Sequence, residues 1–302
     1  MKFDGVINVL KPPGMTSFDV IAHLRSLTGR KTKLGHTGTL DPLAAGVLPV
    51  CAGSATRAIE YLVGGIKKYR AEMTLGITTD TLDSSGAIIT EKSVDIQEAD
   101  IIKALSSLSG TFMQMPPAYS AIRIGGKRLY EMARNGVDIE RPTRQVTIYE
   151  NRLLHYKGNR VIFETVCSKG TYIRSLCDDA GKLLGCGAHM SFLVRLASGK
   201  FSIESSKTLK EIKEFIENDR FDEILQPVDK YLDFDSLSLE EYGLRAFLNG
   251  NQIDYSWQKD FMSADKLYKV YNPAGVFIGI GKSIEKSGRY MLKPEKLIGA
   301  TV

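Results

Sequence analysis

No stretch of this sequence approaches the ~20 consecutive apolar residues that a membrane-spanning helix requires. Metal-binding and redox residues are also sparse. The cysteines are Cys51, Cys167, Cys177 and Cys186, and the histidines are His23, His36, His155 and His189. No C-x-x-C and no H-E-x-x-H occurs among them, which excludes zinc ribbons, thioredoxin-type motifs and zincin-type sites on spacing. The cysteines read as reduced thiols in a cytoplasmic protein. Nucleotide-binding loops are missing as well. Gly125-Gly126-Lys127 lacks the upstream glycine of a phosphate loop and has Arg128 where Ser or Thr should follow, and Gly185-x-Gly187 lacks a third glycine. The start, Met1-Lys2-Phe3-Asp4-Gly5, has no apolar core of the signal-peptide kind. The expectation is a cytoplasmic protein without metal, nucleotide cofactor or membrane attachment.

What is present is an ordinary globular composition, with 43% hydrophobic and 25% charged residues in 302. The net charge of +5 permits a nucleic-acid partner without demanding one. Gly5 to Val9 reads as a strand. Thr16-Ser17 then caps a helix with Val20, Ile21, Leu24 and Leu27 on one face, stopped by Gly29. Val47 to Cys51 is a buried run, and Tyr69 to Leu75 alternates as a half-buried strand. Ile101 to Leu108 is helical. Ala121 to Leu129 reads as a hairpin turning at Gly125-Gly126, followed by a short helix from Leu129 to Arg134. Strands at Gln145 to Tyr156 and Arg160 to Ser168 flank Gly158-Asn159. Helices follow at Ile173 to Leu184 and at Leu209 to Asn218, the latter charged enough to read as a solvated surface element.

Strands and helices do not alternate regularly, so the expected class is α+β with a mixed, mostly antiparallel sheet. A boundary is expected near Leu232. Beyond it lie a helix around Glu240 to Leu248, a stop at Asn249-Gly250, and three short strand-like runs. Residues 261–302 hold seven Lys or Arg against three Asp or Glu, so most of the excess charge sits in this small unit. That charge fits either a solvated surface or an RNA-facing β-module.

The chemistry-bearing segment runs from Lys31 to Pro49. Arg30, Lys31 and Lys33 form a basic run suited to phosphate. Gly35 and Gly38 permit close backbone approach or a positive φ. Asp41 precedes Pro42, which drives it towards an extended backbone, and a carboxylate ionised at neutral pH can act as a nucleophile. On its own, Asp-Pro in a Gly-rich loop is more often turn chemistry.

Six ordered motifs widen the reading. Gly35-His36-Thr37-Gly38-Thr39-Leu40-Asp41-Pro42, with Gly46-Val47-Leu48-Pro49, is preceded by Lys11-Pro12-x-Gly14-Met15-Thr16-Ser17. Lys68-Tyr69-Arg70 follows, then Pro116-Pro117-Ala118-Tyr119-Ser120-Ala121 with Gly126-Lys127-x-Leu129-Tyr130. Ser168-Lys169-Gly170-Thr171-Tyr172-Ile173-Arg174 and Gly185-Cys186-Gly187-Ala188-His189 with Leu193-x-Arg195 complete the set. Together they resemble the tRNA pseudouridine-55 synthases, the TruB family, over most of the first 200 residues. The last 70 or so residues resemble that family's PUA-like module in outline. One position departs: family members often carry a polar or acidic residue before Lys11, where this sequence has Leu10.

The resemblance implies a pseudouridine-synthase domain over 1–232, with an RNA-clasping insertion at about 117–145, and a PUA-like RNA-binding domain over 233–302. It implies isomerisation of uridine 55 in the T-loop of tRNA without any cofactor. Asp41 would be the nucleophile, able to attack either ribose C1′ or uracil C6, and Arg174 would pair with it. Tyr69 would stack on the base and offer its phenol to the C5 proton. His36, Tyr172 and Leu193 would contact the extruded substrate, with His36 as a wedge or gap-filler in the RNA. Lys31, Lys33, Arg123, Lys127, Arg128, Arg141 and Arg144 would contact RNA. The partner is the tRNA T-arm stem-loop, and the implied protein is a monomer with no obligatory protein partner. The rival readings are a synthase directed to ribosomal RNA or by a guide RNA, and a tRNA-folding chaperone without chemistry.

Overall fold

The computed structural model describes residues 3–29, 31–120, 141–255, 263–286 and 288–299, with the paired segments 123–124 and 127–128. The first part of the chain carries β1 (Gly5–Lys11), α1 (Ser17–Thr28), β2 (Leu34–His36), β3 (Ala45–Ala52), α2 (Ile59–Leu62) and β4 (Lys67–Leu75). A small hairpin of β5 (Ile77–Thr79) and β6 (Ile88–Glu91) leads to α3 (Glu98–Ser107) and β7 (Gly110–Gln114). The two-residue strands β8 (Arg123–Ile124) and β9 (Lys127–Arg128) pair antiparallel. After them come β10 (Arg144–Lys157), β11 (Arg160–Cys167), α4 (Ile173–Leu183), β12 (Ala188–Ser198), β13 (Phe201–Ser202) and α5 (Leu209–Glu217).

Nine of these strands form one sheet, in the order β1-β3-β12-β4-β11-β10-β7, with β2 beside β3 and β13 beside β12. Every described pairing in it is antiparallel except β3 with β12. The last part of the chain holds β14 (Asp235–Ser238), α6 (Glu241–Leu248), β15 (Ile253–Asp254), β16 (Leu267–Tyr271), β17 (Phe277–Lys286) and β18 (Arg289–Leu297). Its strands form a second sheet in the order β14-β16-β17-β18-β15. Mixed, mostly antiparallel topology is thus the observed class. Among the described residues no helix is long and apolar enough to cross a membrane.

Local sequence accounts for much of this. Thr16 Oγ1 accepts from the Asp19 amide at 3.0 Å, and Asp19 Oδ2 accepts from the Thr16 amide at 2.8 Å, a reciprocal cap that starts α1. In β4 the side chains of Tyr69, Ala71, Met73 and Leu75 enter the core beneath α3 and α4, while Arg70 is exposed on the opposite face. Val47 to Cys51 is apolar throughout because β3 is covered on both faces. Val47 and Cys51 pack in one core, and Leu48 and Val50 pack with α1 and α5 in another.

Two expectations need adjustment. The helix at 209–217 is not simply solvated. Ile212 is fully buried against the α1 core, with Phe215 and Ile216 half-buried beside it, so one stripe anchors the helix. Among its described residues the C-terminal unit has five strands rather than three, because four-residue β14 and two-residue β15 flank the longer ones. That unit also shares a core with the first sheet: Ile280 and Ile298 pack with Val6, Val47, Ala55 and Phe201. The helix expected at 129–134, with Tyr130, lies outside the described residues.

Candidate active site

The loop carrying Asp41 is pinned from four directions by residues far away in sequence. Ser17 Oγ, buried at the start of α1, accepts from the Leu40 amide at 2.9 Å and donates to the Leu40 carbonyl at 3.2 Å. Lys11, fully buried, donates through Nζ to the carbonyls of Pro12 at 2.9 Å and Pro42 at 3.1 Å. Burial pulls its pKa down to about 8, although Asp41 opposes that shift. The Gly14 amide also donates to Pro42 O, at 2.8 Å. Arg195 reaches from β12 to donate to Val47 O at 2.7 Å, Gly38 O at 3.0 Å and Thr39 O at 3.4 Å.

Asp41 itself opens a turn closed by the Ala44 amide on Asp41 O at 3.0 Å, with Pro42 at its second position. Turn chemistry and presentation of the carboxylate therefore coincide. The glycine that the loop requires is Gly46. Its φ is +113°, and a Cβ there would lie 2.2 Å from Arg195 O across the parallel β3–β12 contact. Gly35 and Gly38 do not adopt positive φ. Gly35 instead leaves room for Ile59, whose Cδ1 would be 2.7 Å from a Cβ.

Arg174, in the first turn of α4 and 6% exposed, faces two carboxylates. Its Nη2 donates to Asp41 Oδ1 at 3.3 Å. Its Nε lies 3.0 Å from Asp41 Oδ2 without an aligned N–H, so that second contact is purely electrostatic. Nη1 lies 3.3 Å from Asp83 Oδ2. Nη1 also donates to Thr81 O at 3.2 Å, and Nη2 to Tyr119 O at 3.1 Å. Asp83 is fixed in turn by the Thr81 hydroxyl at 2.7 Å and the Ser85 amide at 3.0 Å.

The Asp41 side chain keeps 38% of its surface open, yet protein crowds the carboxylate from most sides. That burial raises its pKa above the ordinary value and Asp83 adds to the rise, while Arg174 and Lys11 oppose it. Nothing in the sequence singles out Asp83. It sits in a polar turn, Thr81-Leu82-Asp83-Ser84-Ser85, that carries no periodicity and no motif of its own.

Asp41, Tyr69, Tyr172, Leu193, Arg174 and Arg144 line one cavity of about 360 Å³. Tyr69 is nearly buried, and burial raises its pKa further, so the phenol stays protonated, although the charge of Arg195 and a hydrogen bond from it oppose the rise. Upward perturbation is the wrong direction for a phenolate base. Tyr172 is held by Gln114, whose Oε1 accepts from the Tyr172 amide at 2.8 Å and whose Nε2 donates to Tyr172 O at 3.0 Å. The Arg144 guanidinium stands 5.2 Å from the centre of the Tyr172 ring. Leu193 belongs both to the cavity wall and to the main core.

A second cavity of about 880 Å³ adjoins the first and shares Asp41 and Arg174 with it. Phe18, Thr81, Asp83 and Tyr119 form part of its wall. His36 lines neither cavity. It sits edge-on to the exposed ring of Phe18, 5.6 Å between centres, and its Nδ1 accepts from the Gly38 amide at 3.4 Å. Burial, then the nearby Arg195, lowers its pKa.

Lys31 and Lys33 lie apart from Asp41, in a separate 450 Å³ cavity with Arg57. Arg141 donates to Pro116 O at 3.0 Å at the root of the insertion. The backbones of Arg123, Lys127 and Arg128 form β8 and β9, while their side chains lie outside the described residues.

Comparison with known proteins gives this geometry a lineage. Residues 25–173 match the N-terminal domain of the TruB family pseudouridylate synthases, and residues 174–233 match the tRNA pseudouridylate synthase B C-terminal domain. A tRNA pseudouridine synthase B of Caldanaerobacter subterraneus subsp. tengcongensis is 47% identical over 93% of this chain and 95% of its own length. That of Clostridioides difficile is 43% identical over 97% and 98%. Among solved structures, an H/ACA RNP bound to a substrate RNA containing 2′-deoxyuridine aligns with a TM-score of 0.74 and 26% identity, covering 98% of this chain and 85% of that one. With matches of this extent, the chain belongs to the TruB family of pseudouridylate synthases.

Proposed function

We propose that this protein isomerises uridine 55 in the T-loop of tRNA to pseudouridine, with Asp41 as the nucleophile. The observation that carries the reading is the Asp41 carboxylate held against Arg174 in a cavity that Tyr69 also lines, in a chain of this family. The relatives named above are tRNA pseudouridine synthases B, which supports tRNA over a guide-directed or ribosomal substrate.

The reaction breaks the N1–C1′ bond, turns the uracil, and joins C5 to C1′. One proton leaves C5 and one arrives at N1, so atoms and electrons balance without a cofactor. Asp41 starts the exchange by adding to C1′, which releases uracil as an anion, or to C6, which gives a base-linked adduct. Arg174 holds the carboxylate ionised and aimed. Tyr69 stacks on the extruded base, an interaction worth ~1–3 kcal/mol, and its protonated phenol donates to it. The C5 proton is assigned to the Tyr69 oxygen, which takes it as the phenol passes its own proton to the former N1, so the phenol acts as a relay and stays neutral.

Extrusion of the uridine costs a few kcal/mol of unstacking. Contacts from the insertion at 117–145 and from residues 233–302 are assigned to offset that cost by binding the RNA backbone. Residues 1–232 carry the chemistry. The protein works in the cytoplasm as a monomer without a protein partner. The test is incubation of the protein alone with an unmodified tRNA transcript, followed by mapping of pseudouridine. One modified uridine in the T-loop is expected. No product, or product only after a guide RNA or second protein is added, overturns the reading.

A further inference from the structure

The cavity beside Asp41 holds more positive charge than chemistry on a neutral uracil needs. Lys67, Arg144, Lys169, Arg174 and Arg195 line it, with Asp41 as its one lining carboxylate among the described residues. Arg174 is matched to Asp41 and Asp83, and Arg195 is committed to the loop carbonyls.

Lys67 has neither use. It is 6% exposed, and among the described residues its Nζ donates only to Val63 O at 3.4 Å and Gly64 O at 3.1 Å, which leaves one of three N–H groups for a ligand. Among the described residues no carboxylate forms an ion pair with Lys67 or Lys169. Burial first, then the like charges of Arg195 and Lys169, pulls the Lys67 pKa down to about 8. Lys67 lies two residues before Tyr69 in β4, so ammonium and ring project from the same face. Lys169 is exposed on the same cavity's wall. A buried ammonium among like charges is costly, and an entering anion relieves that cost.

We propose that Lys67, with Lys169 nearer the solvent, grips a phosphodiester group flanking the extruded uridine and thereby positions its ribose against Asp41. The phosphate is the fixed negative charge that each nucleotide carries into the site. This inference rests on the reading of the chain as a tRNA uridine isomerase.

The test uses tRNAs assembled with one neutral methylphosphonate, placed on the 5′ side of the target uridine, on its 3′ side, or several nucleotides away. One flanking substitution is expected to lower kcat/KM of the parent protein roughly ten- to a hundredfold, with the distant one near neutral. Lys67→Met should cost about as much on ordinary tRNA, and combining it with that methylphosphonate should add little. Lys67→Arg, which keeps the charge, should recover part of the loss. Cooperative melting checks that the variants fold.

Penalties that multiply at both flanking phosphates overturn the proposal. So does a parent protein indifferent to both flanking analogues, a result that needs no variant at all. If the parent makes no pseudouridine in ordinary transcript, the enzyme reading fails and this inference falls with it. If it modifies all the analogues at the ordinary rate, only the phosphate grip fails.

Discussion

In the cavity around Asp41, five cations share one lining carboxylate, whereas in the C-terminal sheet basic residues meet acidic ones in pairs. Lys266 lies 2.6 Å from Asp235, Lys282 2.9 Å from Asp265, and Arg289 3.6 Å from Asp254. Lys296 bridges to Glu60 of α2 at 2.9 Å. The residue types are the same, but their surroundings differ. Exposed pairs are screened by water and are each worth about 0–1 kcal/mol. In the cavity, burial and then the like charges of Arg195 and Lys169 lower the pKa of Lys67, and the crowded cations leave a potential that a polyanion can satisfy. The net basic charge of residues 261–302 is therefore a poor guide to RNA contact, since four of its cations are already matched. Among the described residues, Lys269, Lys286 and Lys293 have no such ion pair.

The comparison breaks most sharply at Asp41. Asp41→Asn is expected to abolish isomerisation while tRNA affinity stays within a few-fold, because the nucleophile contributes chemistry and the RNA contacts contribute binding. Single-turnover rates and filter binding check this, and turnover above a tenth of the parent rate would remove Asp41 from the role.

Asp83→Asn tests whether the crowding of charge matters. The active form of Asp41 is its carboxylate, and Asp83 raises the pKa at which that form appears. Removing the neighbouring charge lowers this pKa, so the acid limb of the rate profile should move to lower pH. At neutral pH the rate should fall about tenfold as Arg174 loses its second anchor. An acid limb that stays in place or moves upward contradicts the arrangement.

Glu164 offers a control on the opposite face of the sheet. Burial alone would raise its pKa, but hydrogen bonds from Arg70, Lys68 and Arg152 outweigh that and hold it at about 2. The folded-state pKa is depressed, so its stabilisation is present above the ordinary carboxylate value of 4.5 and is lost as pH falls towards 2. Glu164→Gln should cost roughly 1–3 kcal/mol of stability at neutral pH and little at pH 2, with the single-turnover rate unchanged. Denaturant melts at several pH values, paired with the kinetic assay, separate the two effects.

The smallest effects belong to the C-terminal pairs. Lys282→Ala should change stability by no more than about 0.5 kcal/mol. Neutralising Lys269, Lys286 and Lys293 should instead flatten the salt dependence of tRNA binding, by ~0.7–0.9 in log–log slope for each phosphate no longer neutralised. A salt slope that does not move assigns those lysines to solvent.

Legibility from the sequence varies by element for physical reasons. α1 is readable because its cap and its buried stripe are local: Thr16 and Asp19 sit three positions apart, and Val20, Ile21 and Leu24 follow the helical period. β4 announces itself by alternation. β14 and β15 do not, since strands of four and two residues carry almost no periodic signal. The charge of α5 hides the stripe through Ile212 that seats it on α1. At the site, motif resemblance points to Asp41, Tyr69 and Arg174, and the fold brings them to one cavity. It leaves Asp83 and Lys67 unmarked, because an acidic turn residue and a strand lysine are ordinary until their neighbours are known.

By itself the sequence determined the periodicities, the caps, the turn at Asp41-Pro42 and the order of the motifs. Each depends on residues within a few positions of one another. Only the tertiary structure decided which charges face one another. Asp83 reaches Arg174 because its turn bridges to Met190 of β12, and Arg195 reaches the Asp41 loop because β12 runs parallel beside β3. Electrostatic energy depends on distance and burial rather than on separation along the chain, so the balance of charge around Asp41 exists only once distant strands have met in register.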